Sequence, residues 1–155
     1  DVVSLSDPRG ATVLERVMAA SAENGCAPAP IPGVIPLPAY VDVRSELRLT
    51  APTLEFSVVG GSSVGNGLLF YGFTPASFPL GTGLRCVGGP VARAVAGPAI
   101  GSSNSIALTL DLQSFPVNTG ALAITAGTPT HFQYWFRTPN ASTHLTNSLV
   151  LTFCP

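Results

Sequence analysis

From residue 40 onward the apolar residues fall on every second position, in short runs cut by glycine and proline, and no stretch repeats at the helical period. The cleanest run sets Val41, Val43, Ser45, Leu47 and Leu49 against Asp42, Arg44, Glu46 and Arg48. Such alternation belongs to a strand with one buried and one wet face. Thr53–Val59 follows with Leu54, Phe56 and Val58 on one side. Further strands are expected over Leu68–Phe73, Leu84–Val87, Val91–Val95, Ser105–Leu112, Leu122–Thr125, Phe132–Arg137 and Leu149–Cys154. Eight or nine short strands with turn residues between them predict an all-β domain over 40–155, an antiparallel β-sandwich of jelly-roll or immunoglobulin-like kind. The glycine-rich 60–67 segment has no lysine after it and no helix pattern behind it, so it reads as a turn and not as a phosphate loop.

Residues 1–39 read differently. Thr12 and Glu15 have capping-box spacing and Gly25 stands where a helix ends, so a helix is expected between them. Its apolar face carries Val13, Leu14, Val17 and Met18. Pro28, Pro30, Pro32, Pro36 and Pro38 then make an extended spacer, since proline fixes φ and removes amide donors. The 1–39 unit is therefore expected to be a helix on a proline-rich arm. It docks either on its own sheet or, through Val13, Leu14, Val17 and Met18, on a neighbouring subunit.

Charge is scarce, at 10% of residues against about 25% in ordinary domains. Net charge is −1 and lysine is absent, which excludes a nucleic-acid binder that works by neutralising phosphates. No apolar run reaches the roughly 18–20 residues that cross a bilayer. Seven of the eight acidic residues lie before residue 57, and three of the seven arginines after it. The two parts are thus oppositely biased, as a head-to-tail contact between copies would favour.

The same distribution argues against catalysis. Asp111 is the only carboxylate after residue 56, so most of the chain cannot supply a carboxylate pair. His131 and His144 come with no nucleophile-elbow or Cys/His signature. No enzyme activity, metal or cofactor is expected. Cys26, Cys86 and Cys154 lack metal-ligand spacing and point to one disulfide in an oxidising compartment. Cys86–Cys154 is favoured because it would pin the last strand; Cys26–Cys86 and Cys26–Cys154 are the alternatives. On the 132–137 strand, alternation puts Gln133, Trp135 and Arg137 on the polar face, where an indole flanked by hydrogen-bonding groups would suit a sugar ring. The opposing expectation makes Trp135 part of the core.

Four strings in order (GLLFYG at 67–72, PLGTGLRCVGG at 79–89, HFQYWFR at 131–137 and LTFCP at 151–155) resemble an uncharacterised domain found at the C-termini of secreted proteins of high-GC Gram-negative bacteria. The resemblance covers about 54–155 and departs from the pattern at Thr138, where an acidic residue is usual. It implies export and a β-rich module, and it brings no activity or catalytic residues. The chain is therefore expected to be a secreted, cell-surface-associated structural subunit that forms a homo-oligomer or filament. An extracellular polysaccharide-binding module is the alternative.

Overall fold

The structure, a computed structural model, describes residues 39–59, 66–97, 105–137 and 142–155, and the backbone alone over 21–26. The described residues are all-β, with no helix. In chain order the strands are β1 (Ser21–Cys26), β2 (Tyr40–Val43), β3 (Thr53–Val59), β4 (Gly67–Gly72), β5 (Thr74–Leu80), β6 (Gly83–Gly88), β7 (Ala92–Gly97), β8 (Ser105–Asp111), β9 (Thr130–Arg137) and β10 (Thr143–Thr152). All ladders between named strands are antiparallel. They form a five-stranded sheet in the order β1-β10-β9-β4-β7, a three-stranded sheet β2-β3-β8, and the β5–β6 hairpin.

The core forms where period-two faces meet. Leu54, Phe56 and Val58 on β3, with Leu108 and Leu110 on β8, face Leu69 and Tyr71 on β4, Phe132, Tyr134 and Phe136 on β9, and Leu149 and Leu151 on β10. Phe132 lies at the centre, its ring 5.1 Å from Phe56, 5.4 Å from Tyr71 and 6.5 Å from Phe153. Tyr71 crosses this core to donate its hydroxyl to Leu122 O at 2.9 Å, and burial pushes its pKa up to about 12.

A side chain also ties the two larger sheets together. A bulge between Leu145 and Ser148 interrupts the β9–β10 register. There Asn147, 2% exposed, turns its amide to β2. Val41 N donates to Asn147 Oδ1 at 2.8 Å, and Asn147 Nδ2 donates to Val41 O at 3.2 Å. The amide thus supplies the donor and acceptor that a further strand beside β2 would have supplied.

Several expectations are corrected. The segment expected to finish a helix at Gly25 is the strand β1, whose pairing runs from Ser21↔Thr152 to Cys26↔Ser148. Gly25 coincides with an irregularity in that register between Asn24 and Cys26, a place where strand glycine is common. A ladder along β10 gives these six residues a hydrogen-bonding partner that no local helix signal foretells. Val13, Leu14, Val17 and Met18, and the prolines from 28 to 38, lie outside the described residues. The long 41–49 run is a strand only to Val43, although Leu47 and Leu49 still turn toward the core. The 122–125 strand is absent; those residues form turn and irregular chain. The hairpin strand β5 was not expected at all.

Cys86 and Cys154 are not joined, because Cys154 is a free cysteine. Its backbone is engaged elsewhere: Cys154 N donates to Leu47 O at 2.8 Å and Leu49 N donates to Cys154 O at 3.0 Å. Those bonds, and a parallel bridge to Arg48, pin the chain end without the expected disulfide.

Candidate functional site

Strand β9 alternates as its sequence requires. Phe132, Tyr134 and Phe136 enter the core, leaving His131, Gln133, Trp135 and Arg137 on the outer face. That face is not open to water, because the β5–β6 hairpin lies over it as a third layer. Val87 of β6 packs with Phe70 and Leu145 in a second small apolar cluster, with Trp135 at its margin.

Gln133 fastens the layers together. It is 0% exposed, and its Oε1 accepts from Cys86 N at 2.9 Å. Its Nε2 donates to Leu84 O at 2.9 Å and to Thr146 O at 2.8 Å. Both amide hydrogens and the carbonyl are therefore spent inside the protein. The expected ligand contact at Gln133 is corrected: its polar groups face β6, not solvent.

The hairpin turn is fastened at a second point. Where β1 ends, the free margin of β10 is taken up by Thr82, whose N donates to Thr143 O at 3.1 Å and whose Oγ1 lies 2.7 Å from His144 Nδ1. Gly81 has φ of 61°, and a Cβ added there would run into the Thr143 carbonyl. A side chain there would be strained by backbone and neighbour alike. His144 also stacks on Phe136 at 5.3 Å.

Both histidines are buried, and desolvation lowers the pKa of each below its ordinary 6.5. The unfolded chain therefore binds protons more readily than the folded one. Stability is complete above about pH 6.5 and declines as pH falls through 6.5 toward the lowered folded values. The thermal midpoint is expected to be lower at pH 5 than at pH 7.5, and His144→Gln should shrink that difference. Equal midpoints at the two pH values would contradict it.

Trp135 and Arg137 remain at the accessible end of the outer face. Trp135 is half-buried against the apolar cluster, which satisfies part of the expectation that it is structural. The Arg137 guanidinium sits 5.2 Å from the centre of its ring, a cation–π contact that occupies one indole face. Arg85 makes the same kind of contact with Phe78 at 5.2 Å and with Phe70 at 6.0 Å.

Among the described residues, the carboxylates lie on the surface. Asp42, Glu46, Glu55 and Asp111 are exposed, and Asp111 is used in a local turn, its Oδ1 accepting from Gln113 N at 2.8 Å. Among the described residues, no group of three His, Cys, Asp or Glu could hold a metal ion, and no helix is long and apolar enough to cross a membrane. Compared with protein-family models, curated proteins and solved structures, the chain matches none.

Proposed function

We propose that the chain is a secreted structural subunit that assembles with copies of itself through its N-terminal segment. The observation that supports this reading is the position of β1. It lies at one margin of the five-stranded sheet, against the final strand β10, and twelve residues rich in proline separate it from Ala39. At about 3.1 Å per residue in an extended proline-rich form, that spacer reaches roughly 35–40 Å. A strand on such a tether fits the β10 margin of its own chain or of a neighbour, and exchange between copies yields dimers, rings or filaments. The sparse surface charge and the opposite bias of the two parts of the chain favour such contacts. The resemblance to exported β-rich domains fits the same picture.

Light scattering during size exclusion tests it. Species well above the 15.9 kDa of a single chain are expected, and removal of residues 1–39 should abolish them. A clean monomer, or a truncated chain that still polymerises, would refute the reading. One observation favours a second reading, an extracellular polysaccharide-binding module: the half-buried Trp135 beside Arg137. Under it, Trp135→Ala lowers retention on a glycan column while leaving the melting temperature within a few degrees. A wild-type chain retained on no glycan removes that reading.

A further inference from the structure

The register of the main sheet places two cysteines at one level. Cys26 lies opposite Ser148, and Ser148 lies opposite Gln133. Residues directly opposed in antiparallel ladders share a face, so Cys26, Ser148 and Gln133 form one row across the outer face of β1, β10 and β9. Gln133 directs its amide to β6, where its Oε1 receives Cys86 N at 2.9 Å. Cys86 therefore stands over the same row, one layer out, and is 3% exposed. Ser148, between them, is a small buried residue whose Oγ has no hydrogen-bond partner. The remaining cysteine, Cys154, is free and tied by its backbone to 47–49.

We propose that Cys26 and Cys86 form a disulfide that fastens β1 to the hairpin. The step is a thiol–disulfide exchange. The two thiols give up two protons and two electrons, one S–S bond forms between them, and a small-molecule or protein disulfide is reduced to two thiols. The bridge closes a loop of about sixty residues, long enough to restrict the unfolded chain substantially. It secures β1 at its last residue, where the ladder along β10 ends. The inference rests on strand register and the Gln133–Cys86 contact, and is independent of the assembly reading.

The absence of lysine makes the test direct. Cleavage after arginine puts the three cysteines in separate peptides, 17–44, 86–93 and 138–155. The full chain is refolded with glutathione disulfide, alkylated without reductant, digested and weighed by mass spectrometry. The expected result is 17–44 linked to 86–93, released by reductant, with 138–155 alkylated. Cys154→Ser should keep the link, and Cys86→Ser should leave Cys26 open to alkylation. A link from 138–155 to either other peptide, or three alkylated peptides after oxidation, overturns the proposal.

A non-reducing gel separates this result from the assembly reading. A linked monomer upholds the disulfide within one chain and counts against strand exchange. A linked ladder places the bridge between copies and upholds both. Without the link, the disulfide fails whatever the oligomeric state.

Discussion

Gln133→Ala is expected to lower the unfolding free energy by about 4 kcal/mol, because it leaves Cys86 N, Leu84 O and Thr146 O without the partners described above. Each orphaned buried group costs roughly 1–3 kcal/mol, and the vacated space adds to that. The loss should not be spread evenly. Two of the three bonds join β6 to the main sheet, so the hairpin should open before the two larger sheets do. Trypsin offers a local reading, since Arg85 lies within β6 and its side chain rests against Phe70 and Phe78. Cleavage after Arg85 should quicken in the variant under native conditions, while cleavage after Arg137 changes less. A stability loss below about 1 kcal/mol would show that the hairpin is held by its apolar contacts and not by Gln133.

The second large effect concerns Tyr134, whose ring runs between two glycines. A Cβ on Gly67 would overlap the Tyr134 hydroxyl together with ring carbons Cζ and Cε1. A Cβ on Gly97 would overlap the hydroxyl alone, with Cζ at 3.0 Å and Cε2 at 3.1 Å. Gly67→Ala and Gly97→Ala should therefore each cost more than about 2 kcal/mol, the range of an overpacked core. Their responses to Tyr134→Phe should differ. Removing the hydroxyl relieves most of the Gly97→Ala clash and little of the Gly67→Ala clash. The single change Tyr134→Phe should be neutral or stabilising, because that hydroxyl is buried with no hydrogen-bond partner. Burial likewise pushes the Tyr134 pKa up to about 12. Chemical denaturation of the four combinations in each cycle measures the coupling. Equal rescue of both glycine variants would show that the ring moves aside as a unit.

These two sites also show what a reader of the sequence alone can and cannot obtain. The inward rows of β3, β8 and β9 were legible because alternation reports which face of a strand is apolar. Alternation does not report what covers the polar face. Gln133 and His131 read as wet for that reason, and only the presence of a third layer makes them buried. That layer was hidden by its own sequence, since Pro75 and Pro79 look like strand breakers. On β5 they are harmless, because that strand pairs with β6 alone and its outer side needs no ladder. Asn147 was illegible for a related reason. Its role follows from a bulge that rotates one residue out of the expected face, and a bulge has no signature in a run of buried positions. Strand β1 was lost to a longer-range cause: its partner is the end of the chain, more than a hundred residues away.

The margins of the sheets differ in how they meet another chain. Beside β2, Val41 already has both its backbone groups occupied by the Asn147 amide, and along β5 two prolines remove donors from the outer side. Neither margin offers a continuous row of groups to an incoming strand. The β10 margin carries β1, which is one of the two end strands of the five-stranded sheet. Under the proposed exchange of β1 between copies, each copy gives at one site and receives at another, so a fibre built this way has two chemically distinct ends and lengthens from one while it is capped at the other.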